Sequence, residues 1–193
     1  KKKEVNVPSY SLDDALAAQG DLVKAYADGN KFDLMTKSLM ANALGLKEEA
    51  ATLKTAADSI DAGNVEGIEA AQAKTEAAQN AVAQKMEKSE KLSGDSKITL
   101  GKSLLTLGSC LLSYKTAADQ CDKSMDMAKN VIENASMMKK MSVKKQLDPV
   151  RTVAPKVPGD LNSLMGTAKK YVDFAKANGV KPPKDVQNAL GDL

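Results

Sequence analysis

Residues 103–135 read SLLTLGSCLLSYKTAADQCDKSMDMAKNVIENA. Within them Leu104, Leu107, Leu111, Tyr114, Ala118, Cys121, Met125, Ala128, Ile132 and Ala135 alternate spacings of three and four. That spacing draws one apolar stripe along a helix, whereas a half-buried strand needs alternation every second residue. No proline falls between 95 and 141, so the pattern predicts one continuous helix there, weakened at its start by Gly101 and Gly108. Such a helix is about 70 Å long at ~1.5 Å per residue. Its uncharged part, Ser103 to Tyr114 between Lys102 and Lys115, covers only about 18 Å of a ~30 Å hydrocarbon core. It reads as a buried segment, not a membrane span.

The same rhythm continues on both sides. Leu12, Ala15, Leu16, Gln19, Leu22, Val23 and Tyr26 predict a first helix, with Ser11 as its cap and Asp13 and Asp14 in its first turn. Asp28-Gly29-Asn30 reads as its end. Phe32, Thr36, Leu39, Ala43, Leu46, Ala50, Leu53, Ala57 and Ile60 then mark a second helix over 31–61, in which large and small seam residues alternate. Asp61-Ala62-Gly63-Asn64 closes it. A third, over 65–92, carries Ile68, Ala71, Thr75, Ala78, Val82, Met86 and Leu92, and stops at Ser93-Gly94; Asp95 or Ser96 is expected to cap the fourth. Asn30 and Asn64 stand 34 residues apart, but each period holds one long helix where a tetratricopeptide repeat holds two, so no repeat is inferred.

Pro149, Pro155 and Pro158 make 142–159 an expected extended connector. A fifth helix follows through Leu161, Leu164, Ala168, Tyr171 and Ala175 to Asn178-Gly179, and 184–190 suits a short terminal helix. Ala and Leu number 28 and 20 of 193 residues against two Phe, four Tyr and no Trp, a supply that favours helix over sheet. The expected fold is therefore all-α: an elongated, mostly antiparallel bundle of about five helices with long heptad-like seams. Residues 1–10 form an extended tail, and 11–193 form a single helical-bundle domain in which 160–193 supplies the fifth helix and the C-terminal segment.

Composition removes several classes of function. With no histidine, the chain holds no Ser-His-Asp, Cys-His or histidine-metal site. The net charge is +3, and Arg151 is the only arginine among 28 basic residues. A chain this balanced, poor in guanidinium and aromatic groups, lacks the means to grip nucleic acid. There is no Walker loop and no strand–GxGxxG–helix unit. Asp119, Asp122 and Asp126 interleave with Lys115, Lys123 and Lys129 and read as a solvated face. Cys110 and Cys121 are about 16 Å apart along one helix, too far for a bridge that needs ~7 Å, which favours two buried free thiols. Cys121 and the methionines near it do not converge into a soft-metal site. No catalytic residue, cofactor or metal is expected, and the chain is not expected to be an enzyme. It opens Lys1-Lys2-Lys3-Glu4 without an initiator Met, the basis for expecting a processed, exported protein, periplasmic or secreted.

One segment combines adaptable apolar side chains with concentrated charge: Met137, Met138, Lys139, Lys140, Met141, Lys144 and Lys145. Lysines at the end of a long helix complement its dipole. The functional reading is a docking patch for an acidic protein partner or a cell-envelope surface. The function expected is thus non-enzymatic binding or a structural role through a protein partner. The alternatives are a carrier holding an apolar small molecule in a cavity beside Gly101 and Gly108, and a membrane-active helical protein that inserts 103–114.

Overall fold

Ser11 opens the first helix through a reciprocal cap. Its Oγ accepts the Asp14 amide at 3.0 Å, and Asp14 Oδ2 accepts the Ser11 amide at 3.1 Å. The amide of Ser11, and then its hydroxyl, hold the Asp14 carboxyl below its ordinary value. From this cap the chain winds through nine helices among the described residues: α1 (Leu12–Ala43), α2 (Lys47–Asp58), α3 (Val65–Lys74), α4 (Glu76–Lys88), α5 (Gly94–Asn134), α6 (Met137–Gln146), α7 (Asp148–Val153), α8 (Val157–Ala177) and α9 (Lys184–Gly191). The structure, a computed structural model, describes residues 9–89 and 91–191. Of these 84% are helical and none is in a strand, so the chain is all-α. The expected tail lies outside the described residues apart from Ser9 and Tyr10.

Nine helices replace the five expected, because the terminators were assigned to the wrong glycines and prolines. Gly29-Asn30 does not end a helix; α1 runs straight through it. A Cβ on Gly29 would stand 2.7 and 2.8 Å from Cδ2 and Cε2 of Tyr114, so this glycine serves close helix approach. Asn30 turns its amide back to the Tyr26 carbonyl at 2.9 Å. The true stop is Gly45, at φ +78°. There the Leu46 amide reaches the Ala41 carbonyl at 2.8 Å and the Gly45 amide reaches Asn42 at 3.1 Å, a Schellman closure. Gly179 (φ +73°) closes α8 in the same way, where Asn178-Gly179 was expected to end it.

The expected third helix divides at Thr75, whose hydroxyl donates to the Ala71 carbonyl at 2.9 Å. Ser93, not Asp95 or Ser96, caps α5. That helix ends at Asn134 instead of continuing to 141, and an extended Ala135 starts a new direction. The connector expected over 142–159 is helical. Pro149 and Pro158 sit in the first turns of α7 and α8, where a missing amide costs no helical hydrogen bond.

The core forms around α1 and α5. Tyr10 donates to Asn130, Ser124 to the Ala18 carbonyl and the Cys110 thiol to the Gly29 carbonyl, so the two helices run in opposite directions. Leu22, Leu34, Met40, Leu100, Leu104 and Leu107 are fully buried there. The seam read in α5 lines this core: Leu104, Leu107, Leu111, Tyr114, Cys121, Ala128 and Ile132 are buried, and Ala118, Met125 and Ala135 pack at its margin. Both cysteines are free and buried; Cys121 donates to the carbonyls of Ala117 and Ala154. The space beside Gly108 is filled by the Asp185 carboxylate of α9, 2.5 Å from where a Cβ would stand, and Gly101 faces Val180. Among the described residues no helix is long and apolar enough to cross a membrane.

Candidate functional site

The seven residues of the Met/Lys segment all fall on α6 or within its span. With ~100° between successive residues, Met137, Met138 and Met141 occupy an arc of about 100° directly opposite Val143. Val143 is the one buried residue of α6. The three methionines are correspondingly open, at 90%, 96% and 84% exposure. Lys145 rises within their arc and Lys140 and Lys144 border one side, while Lys139 lies about 100° beyond Met138, closer to the buried Val143. The result is an apolar ridge edged with ammonium groups, facing away from the core.

The break at Ala135 changes what those lysines do. On a helix running to 141, all would crowd a C-terminus and favour its dipole. On α6, only Lys144 and Lys145 lie in the last turn. Lys139 and Lys140 lie near the first, where a cation opposes the dipole. Helix stability therefore accounts for two of the four. α6 is also the one helix among those described that carries no acidic residue.

Gln19 of α1 fixes the inner end of this element. Its Nε2 donates to the Gln146 carbonyl at 3.0 Å, and its Oε1 accepts the Val150 amide at 3.0 Å. One side chain thus satisfies the end of α6 and the start of α7. Leu147, fully buried, anchors the same junction. Gln19 was legible only as a polar residue inside an apolar series. A second apolar row escaped sequence reading. Ile98, Leu105 and Leu112 are 62–67% exposed on α5, and their spacing of seven was the available signal. From Leu112, the nearest of the three, to the end of α5 at Asn134 is about 33 Å of helix, so this row does not merge with the α6 ridge.

A concave feature lies elsewhere, between α1, α3 and α8, with Tyr114 of α5 at its base; its volume is about 420 Å³. Lys37 donates to Asp33 at 3.0 Å and to Gln79 at 2.5 Å, and Gln72 bridges to Asn30 at 2.9 Å. Lys156, just before α8, pairs with Glu69 of α3. Tyr26 donates to Asp160 at 2.9 Å and meets Tyr114 edge to face, with centroids 6.1 Å apart. Burial, and next the charge of Asp160, push the Tyr26 phenol above its ordinary value. Burial and then Asp33 push Tyr114 up likewise.

Among the described residues no group of three or more Cys, Asp or Glu is arranged to hold a metal ion. No protein-family model, curated protein or solved structure matches the chain.

Proposed function

We propose that this chain is a non-enzymatic docking protein, an elongated, mostly antiparallel helical bundle that presents α6 to an acidic protein partner. The observation that carries the reading is the outward Met137–Met138–Met141 ridge, 84–96% exposed and accompanied by Lys140, Lys144 and Lys145. Large apolar side chains this open raise the free energy of the isolated chain in water, and burial against a partner recovers it. Thioethers suit a groove that must be fitted closely, because methionine repacks easily. An interfacial membrane helix usually buries Trp, Phe or Leu, and α6 has none of them.

Magnitudes set the kind of complex. Three methionines supply roughly 5–9 kcal/mol at ~1.5–3 kcal/mol each. Association alone costs about 4–15 kcal/mol. The ridge therefore supports a modest, reversible interface, and lysine steering governs how fast it forms and how steeply salt weakens it.

Two variants test this side by side: Lys139, Lys140, Lys144 and Lys145 all to Glu, and Met137, Met138 and Met141 all to Ser. Each should keep the circular dichroism of the parent. Proteins captured by the parent and lost by both variants, with capture falling as salt rises, support the reading. Unchanged capture by both overturns it. Flotation of the parent with anionic vesicles, abolished by the lysine changes while capture persists, replaces the protein partner with a membrane surface.

A further inference from the structure

The cleft between α1, α3 and α8 shares no residue with the docking ridge. Its charges do not balance internally. Lys37 is paired with Asp33 in a shielded ion pair, the two side chains 17% and 13% exposed, and Lys156 is paired with Glu69. Asp160, the third carboxylate of the lining, makes no ion pair within 4.0 Å among the described residues, since Lys156, one turn before it, is turned to Glu69. It accepts only the Tyr26 hydroxyl. Both lysines being engaged, no free positive group awaits an anion, and the lining carries one uncompensated negative charge.

A second observation points into the same space. The Tyr114 ring is buried, at 5% exposure for the residue, while its hydroxyl is not among the buried unpartnered atoms and lines the cleft with no protein hydrogen-bond partner among the described residues. A hydroxyl on a cleft wall keeps its bonding capacity for water or for a ligand that displaces it. The Cδ2–Cε2 edge of the ring lies against Gly29, which holds the ring and its hydroxyl in place. The Tyr26 and Tyr114 rings add electron-rich surface, which favours a cation. The volume, about 420 Å³, lies within the ~300–1,000 Å³ range of small-molecule sites.

We propose that this cleft binds a small organic monocation bearing a primary ammonium group, with the ammonium on Asp160 and donating to the Tyr114 hydroxyl. A monocation compensates the single open charge without breaking either ion pair. Asn30 and Gln72 are already bonded to each other and shape one wall.

The chain contains no Trp and four Tyr, two of which line the cleft, so intrinsic tyrosine fluorescence reports occupancy. The probes are n-butylammonium and benzylammonium, with benzyl alcohol and benzoate as neutral and anionic counterparts, each titrated into the whole chain. At least one ammonium probe should bind saturably, at least tenfold tighter than benzyl alcohol and benzoate. Asp160→Asn, which retains an acceptor for Tyr26, should weaken that binding tenfold or more. Tyr114→Phe should weaken it several-fold while leaving the thermal midpoint unchanged, since the hydroxyl removed has no protein partner among the described residues. The proposal is overturned by absence of saturable ammonium binding up to about 10 mM, by equal binding of benzyl alcohol, or by unchanged binding in Asp160→Asn. Should Asp160→Asn fail to fold, Tyr114→Phe decides alone.

Discussion

The ring of Tyr114 lies flat enough against the backbone of Gly29 that a methyl group on that glycine would stand 2.7 Å from Cδ2. The same stretch of α1 offers its carbonyl to the Cys110 thiol at 3.3 Å. Two long helices approach here at a distance that only a missing side chain permits, and the base of the ammonium cleft is set by that approach.

Two glycines of α1 should respond oppositely to alanine. Gly29→Ala forces the ring or a helix to move and should cost about 1–3 kcal/mol, as overpacking does. Gly20 has open space where a Cβ would go and is exposed within the helix. Gly20→Ala should gain about 0.5–1 kcal/mol. Urea unfolding of the two variants beside the parent gives both signs, and equal effects would refute the packing role assigned to Gly29.

Stability should fall on the alkaline side. Burial raises Cys110, Cys121, Tyr26, Tyr114 and Tyr171 above their ordinary values of 9.0 for the thiols and 10.0 for the phenols. A raised value in the folded state means that the native chain keeps protons the unfolded chain has lost. The stability is whole below pH 9, declines as the unfolded thiols and then phenols ionise, and continues to be lost toward the higher folded values. Denaturant midpoints measured from pH 7 to 11 should be level at first and then drop. At pH 8 native protein should react slowly with a thiol reagent, and two thiols should titrate once it is denatured without reductant.

Removing the Gln19 side chain should loosen the joint between α6 and α7. Gln19→Ala deletes two hydrogen bonds to backbone groups, worth roughly 1–3 kcal/mol together at ~0.5–1.5 kcal/mol each. Hydrogen exchange should quicken across 143–151, and trypsin should cut sooner at Lys144 or Lys145, while total helix content barely changes. Protection equal to the parent would mean that Val143 and Leu147 hold the joint without it.

The sequence was legible wherever one face of a helix meets one core. The α5 seam from Leu104 to Ile132 is buried as its spacing requires, and Asn64 and Gly179 punctuate the chain where local chemistry says they should. Errors arose where one residue type serves two physical purposes. Glycine can end a helix, as Gly45 does, or let another helix come close, as Gly29 does, and only the partner helix distinguishes them. Proline breaks a helix from within and begins one from its first turn; Pro149 and Pro158 do the second, where three prolines in eighteen residues suggest the first. The Met/Lys patch was visible as composition, but its outward direction depends on the break at Ala135, which no local signal announced. The cleft was invisible, because Tyr26, Tyr114 and Asp160 are brought together from helices distant in sequence.

The pairing of α1 with α5 also imposes an order on biosynthesis. About ninety residues must be added after Ala43 before Asn134 exists, roughly 5–18 s at ~5–20 residues per second. Throughout that interval the apolar face of α1, with Leu22 and Leu34, lacks its main covering. α2 is the next helix to emerge and packs on α1, so it shelters part of that face first. An apolar face uncovered for that long is a surface a holding chaperone can bind, and slowing translation lengthens the exposure in direct proportion.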